Sequence, residues 1–361
     1  MIKLFKTKSN PIESDKQFWD WFTENQQSFY KAVKNTKNIE KDFLDKLSEK
    51  LNQLHENIWF LAGMFDDTTA ELVLTPDGDI TNIAFIEALV MAAPTIPGWK
   101  FTALKQAMDS SGFSINMKGY VFDAGNIWFY SNEHPDYPDE VDITIVYNNY
   151  SKKDKAIINN GIAVFLENYI GELFFATAID NLSILPVNEA QKELIAIDKL
   201  KSYLVWREKE FVEKYDGIRY DTKDDKYSSL TAELENGKPL IAIINTTLLN
   251  FSAKASHPWV VSIEINYGNN SINGMPSSEM YQLLDAFEDE LMLELKDFEG
   301  YLNIGRQTAD NTRTVYFACK DFRKPSKILY HLSKKYAKHF GVSYDIYKDK
   351  YWQTFNKFRV S

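Results

Sequence analysis

Cysteine is all but missing from the 361 residues: Cys319 stands alone. That rules out a disulfide within the chain and any cysteine-built zinc or iron–sulfur centre. Histidine is sparse as well, five residues widely scattered, which disfavours a histidine-built metal site. No apolar run reaches the ~20 uninterrupted residues that a membrane span needs. The two most apolar stretches, 83–93 and 161–178, are broken by Glu87 and by Glu167 and Glu172. The start, Met1 to Pro11, has three lysines but no apolar core of signal-peptide length, so a cytoplasmic location is expected. Positive charge is also short. A net charge of −10 argues against coating nucleic acid or anionic lipid with the whole surface. Phosphate loops are absent, since Gly237-Lys238-Pro239 follows no glycine-rich loop. His55-Glu56 has no second histidine one helical turn on, and the segment 268–274, with Ser271, has the wrong spacing for a nucleophile elbow. No cofactor and no metal is expected.

What is present is the material of an aromatic-rich globular chain: 44% hydrophobic, 14% aromatic and 25% charged residues. The length suggests two domains, or three. Residues 1–56 read as helices: Ser14 is an N-cap, and Phe18, Trp19, Phe22, Phe29 and Val33 recur at helical spacing. After a break at Asn35-Thr36-Lys37-Asn38, a second helix carries Ile39, Phe43, Leu47, Leu51 and Leu54. From Asn57 the period is that of strands. Residues 58–65 and 70–75 form a hairpin, a helix runs over 81–93, and 99–104 is a third strand. The order then repeats, because Asn126-Ile-Trp-Phe129 echoes Asn57-Ile-Trp-Phe60. Strands at 126–129 and 141–147, a helix over 152–169 and a strand at 173–178 complete the second copy. Residues 57–185 are thus expected to be a duplicated β-β-α-β unit sharing one mixed sheet, and 186–198 a hinge.

The remainder, 200–361, predicts a helix over 200–215 and a hairpin of 227–235 with 240–246 around Asn236-Gly237. Strand 259–267, a helix over 277–297, strands 301–307 and 313–319, a helix over 325–339 and strand 343–347 follow. That order, β-α-β-β-α-β, is the ferredoxin-like split unit, with 259–267 expected beside 313–319. The fold class is therefore α+β, with an N-terminal helical hairpin, the duplicated unit and a ferredoxin-like domain.

Three segments carry a family resemblance: His257-Pro-Trp-Val-Val-Ser-Ile-Glu-Ile, Gly274-Met-Pro276, and Gly305-Arg-Gln-Thr308 with Arg313-Thr-Val-Tyr-Phe317. Together they resemble the bacterial family called domain of unknown function 695, over roughly 200–361. Phe18-Trp-Asp-Trp-Phe22 and Ala92-Ala-Pro-Thr-Ile-Pro-Gly-Trp99 are similar to the segment that often precedes it. The resemblance implies a ferredoxin-like domain, related in outline to a protein regulator of an RNA-degrading endonuclease. It supplies no catalytic residues.

Charge in the third domain is polarised. Residues 277–299 hold eight acids and one lysine, and 300–340 hold nine bases against Asp310 and Asp321. Arg306, Arg313, Lys320, Arg323, Lys324 and Lys327 form the candidate interaction surface, for which another protein is the expected partner. His257 and Glu264 lie about 23 Å apart along a strand, too far for an acid–base pair. His257 reads as a backbone-bonded loop histidine and Cys319 as a buried, inert thiol. An RNA-reading sheet would need stacked aromatics, and only Tyr316 stands out, with Glu264 repelling phosphate, so nucleic acid is disfavoured. The aromatic set Trp19, Trp21, Phe22, Trp59, Trp99 and Trp128 reads as core. The leading expectation is a protein-interaction or regulatory module without catalysis. Its rivals are a hydrolase whose carboxylates meet only on folding, and a small-molecule sensor between the two halves.

Overall fold

A computed structural model describes residues 11–109, 112–268 and 273–359. The lysine-bearing start before Pro11 and the stretch with Ser271 therefore lie outside the described residues. Two compact units result, one of residues up to 107 with 170–173, the other of 108–169 with 174 onward.

In the first unit, α1 (Asp15–Asn35) starts where the Ser14 hydroxyl accepts from the Gln17 amide, and stops at Thr36 in the left-handed region. Its buried stripe is Phe18, Trp19, Phe22, Phe29 and Val33, the set that the spacing predicts. A π-turn (Glu40–Leu44) leads into α2 (Asp45–Leu54), which buries Leu47 and Leu51. Then come β1 (Trp59–Met64), β2 (Ala70–Thr75), α3 (Ile83–Met91) and β3 (Trp99–Ala103). β1 pairs antiparallel with β2, and β2 parallel with β3. Both α1 and α3 pack on this sheet, where the Trp19 indole donates to the Leu89 carbonyl at 2.7 Å and the Phe22 and Trp99 rings meet at 5.0 Å. Trp59 departs from the expected core set: it is 58% exposed on the edge strand.

Further along the chain are a short hairpin, β4 (Ile115–Met117) and β5 (Tyr120–Phe122), then β6 (Ile127–Asn132), β7 (Asp142–Tyr147) and α4 (Lys155–Ile170). Residues 173–178 form no strand. They belong to α5 (Glu172–Ala178), and the strand that follows is β8 (Asn181–Pro186). A six-residue run of five apolar residues and Thr177 fits helix or buried strand equally. Here Gly171, at φ +92°, ends α4, and the buried Glu172 carboxylate is held by the Thr75 hydroxyl and the Lys105 amide. The segment read as a hinge carries β9 (Ile195–Ala196), paired with β6. Strands run in the order β8-β7-β6-β9, a sheet separate from β1-β2-β3, so the one mixed sheet expected over 57–185 does not form.

The last stretch comprises α6 (Leu200–Tyr215), β10 (Tyr227–Glu233), β11 (Pro239–Asn245), α7 (Thr246–Leu249) and β12 (Trp259–Asn266). It continues with α8 (Ser278–Glu294), β13 (Tyr301–Ala309), β14 (Thr312–Cys319), α9 (Arg323–Tyr336), β15 (Gly341–Lys348) and a 3₁₀ segment, Gln353–Phe358. One antiparallel sheet runs β10-β11-β13-β14-β12-β15, with β12 beside β14 as expected from the element order. The β13–β14 link is tighter than the sequence suggests. Asp310 and Asn311 both take positive φ, a two-residue turn that lets the strands run on to Ala309 and Thr312. One face, with Val260, Leu302, Ile304, Tyr316 and Ala318, packs against Leu248, Trp352, Phe355 and Phe358. The opposite face buries Val261, Ile263, Val315 and Phe317. Between Asn303 and Gly305 the register shifts. Gly305 has φ +140°, and any Cβ there would run into the Ile243 carbonyl, so the bulge requires glycine.

Candidate functional site

The polarised charges turn on each other. Arg306 Nη1 lies 2.7 Å from Glu288 Oε2, Arg313 Nη1 lies 2.8 Å from Glu288 Oε1, and both reach Asp285 at 3.3 Å. Arg313 is 1% exposed, a buried guanidinium whose fork is matched by α8. Lys320, Arg323, Lys324 and Lys327 lie beyond the opposite end of β14, so the structure does not gather all six cations. The Lys320 ammonium donates to the Ile218 carbonyl. Arg323 pairs with Asp321 at 2.9 Å and Lys324 with Glu299 at 2.6 Å, while Lys327 is half-buried on α9.

His257 is buried, with Ser256 Oγ 2.8 Å from Nδ1. The Ser256 proton goes to the Ala253 carbonyl, so Nδ1 is the donor to Ser256, and among the described residues Nε2 has no hydrogen-bond partner. Burial, then Lys320 and Arg219, hold its pKa down to about 3. Glu264 is exposed further along β12 and forms no pair with it. Burial pushes the Cys319 thiol well up, which suits an inert side chain. Tyr316 is buried under Phe355 and Phe358 and is not presented for stacking.

Sequence spacing does not reveal a further constellation. A cleft of about 510 Å³ opens between the 134–142 loop, the start of β8 and the end of β15. At its floor is Asp180. Its Oδ1 lies 2.6 Å from Lys348 Nζ, and its Oδ2 takes Lys350 Nζ and the Val141 amide, each at 2.7 Å. Burial alone would raise the Asp180 carboxyl, but the two ammonium groups outweigh it and hold the pKa low. Burial, reinforced by Lys350, pulls Lys348 down to about 8 against the attraction of Asp180. Lys348 also donates to the Thr177 carbonyl and Lys350 to that of Asp139. On the walls, Glu140 accepts from Asn181 Nδ2 at 3.2 Å, and burial together with Asp180 raises its pKa. His134 Nε2 lies 2.7 Å from Asp142 Oδ2.

A second carboxylate buttresses the loop. Asp139 receives Lys214, the Tyr215 hydroxyl and the Tyr351 hydroxyl, each at 2.7 Å, and these contacts overcome burial to lower its pKa. Chemically the cleft offers a fixed ion-pair floor with a protonatable carboxyl and an imidazole at its mouth. Contacts spanning about 170 to 212 residues build it, which is why no linear motif marks it. The one local signal is Lys348-Asp349-Lys350, alternating charges at the end of an otherwise apolar-patterned strand.

Residues 229–359 match the family described as a family of unknown function, DUF695. The match takes in Lys348 and Lys350 but neither Asp180 nor the 134–142 loop. No curated protein and no solved structure matches the chain. Among the described residues no helix is long and apolar enough to cross a membrane, and no group of three or more His, Cys, Asp and Glu side chains is placed to hold a metal ion.

Proposed function

We propose that this protein is a ligand-responsive regulatory module that takes a small polar molecule into the cleft of Glu140, His134, Asp180 and Lys348. The carrying observation is Asp180, buried between two lysines at the cleft floor with the raised Glu140 carboxyl above it. Each lysine already directs two of its three donors at Asp180 and a backbone carbonyl, so the floor is better suited to holding shape than to attacking a substrate. Glu140 and His134 are left to read the ligand, and a carboxyl of raised pKa can donate as well as accept. Thermal-shift screening of polar metabolites, followed by calorimetry, is the test. A true ligand at 100 times its Kd stabilises the protein by about 2.7 kcal/mol. Glu140→Ala and His134→Ala should abolish that gain while leaving the fold intact; a gain that survives both changes overturns the reading.

The strand order and directions of β12 to β15 support a ferredoxin-like reading of that part, with β10 and β11 extending its sheet. Likewise, β1-β2-α3-β3 and β6-β7-α4-β8 share antiparallel-then-parallel pairing, which supports a duplication. A second functional reading is contact with another protein through β10, an edge strand with Tyr227 49% exposed. Reversing Arg323, Lys324 and Lys327 to Glu separates the two surfaces: capture through β10 persists, and capture through the basic segment is lost and varies with salt.

A further inference from the structure

A second cavity, of about 300 Å³, shares Tyr137 and Gln353 with the cleft and is lined by Lys254, Arg359, Phe251, Tyr215 and Tyr351. Among the described residues no carboxylate lies within ion-pair distance of Lys254, which is half-buried, or of Arg359. Arg359 spends one donor on the Leu249 carbonyl at 2.6 Å. Asp349 attracts Lys254 from further off, but its carboxylate already takes the Gln353 and Thr354 amides and the Thr354 hydroxyl at 2.8–2.9 Å. Asp139, behind the tyrosines, is matched by Lys214. Burial and the neighbouring guanidinium both disfavour the Lys254 charge, so an anion between the two would turn repulsion into attraction.

We infer that this cavity binds the phosphate group of a small phosphorylated molecule, held by Lys254 and Arg359. A dianion balances both cations where a carboxylate would balance one, and a guanidinium fork fits phosphate oxygens. The ring walls of Phe251, Tyr215 and Tyr351 suit a flat substituent on the phosphate. This site stands apart from the reading of the Glu140 cleft.

The test uses the full chain and calorimetry at constant ionic strength, with inorganic phosphate, phenyl phosphate and acetate as probes. Phosphate should bind saturably, phenyl phosphate more tightly, and acetate not at all. Lys254→Gln and Arg359→Gln should each weaken phosphate binding by about tenfold or more, the loss of one charge-assisted contact. Lys254→Arg, which keeps the charge, should retain binding, and so should Glu140→Ala, which separates this site from the cleft. Absence of saturable phosphate binding to the wild-type chain overturns the inference, as does equal binding by wild type and both Gln variants. Equal binding of acetate and phosphate would overturn the choice of a dianion.

Discussion

A proton on His257 Nε2 would place charge in a dry site beside Phe251, with the ammonium of Lys320 repelling it. The folded pKa, about 3, lies below the ordinary ~6.5, so the unfolded chain takes up the proton first. Stability is therefore complete above about pH 6.5 and falls as pH drops toward 3, by about 1.4 kcal/mol per unit for this group. Urea unfolding at pH 7 and pH 5 should show the loss, and His257→Asn should flatten it; an unchanged slope assigns it to other groups. Asp180 gives a sharper case. Asp180→Asn leaves two ammonium groups buried against a neutral amide and should cost about 3–5 kcal/mol, part of which Lys348→Met restores. Sequence reasoning makes His257 a backbone-bonded loop histidine, whereas its ring meets the Ser256 hydroxyl, and it places Cys319 in the core, where it is buried. Asp180 goes unmarked in the sequence, because nothing around Ile179 and Asn181 announces Lys348 at the end of β15 and Lys350 just beyond it.

Elements were legible where periodicity ran long. The stripe of α1, the alternation of β12 and the cap at Ser14 each follow from residues a few positions apart. Ser14→Ala should cost about 1 kcal/mol, seen as a lowered melting temperature without change of fold. Legibility failed where an element was shorter than its period. Five apolar residues and Thr177 at 173–178 do not distinguish helix from strand, and β4 and β9 are too short to show alternation. The β13–β14 turn was bracketed but not sized, since only the positive φ of Asp310 and Asn311 makes it two residues. Gly305→Ala should destabilise more than the cap change, because its Cβ meets backbone rather than a movable side chain. Equilibrium unfolding of the two variants gives the ranking.

For the molecule as a whole, the net charge of −10 acts at long range and the buried pairs at short range. Salt at ~0.15 M screens beyond about 8 Å, so it relieves repulsion among surface acids and barely touches Asp180–Lys348 or Arg313–Glu288. The melting temperature should therefore rise from low salt to ~0.15 M. A fall would mean that exposed pairs such as Lys16–Asp20 contribute more than their 61–83% exposure suggests. The basic segment illustrates the limit of reading charge along a chain. Counting residues finds a positive stretch after a negative one, but only the fold shows Arg306 and Arg313 set into α8.

That setting depends on one extra residue. Along β13, Leu302 and Ile304 point into the apolar face beneath Trp352, and strict alternation would send residue 306 to the same side. The bulge resets the count: Gly305 stands opposite Tyr316, and Arg306 falls opposite Val315, on the side of α8. Here a backbone irregularity acts as a phase shifter, allowing a single strand to serve an oily layer with its first half and an ionic one with its second. Deleting residue 304 would remove the bulge yet leave Arg306 opposite Val315, whereas one residue inserted between Gly305 and Arg306 would turn the guanidinium toward Phe355 and Phe358, so such an insertion harms the fold more than a substitution at either end of the strand.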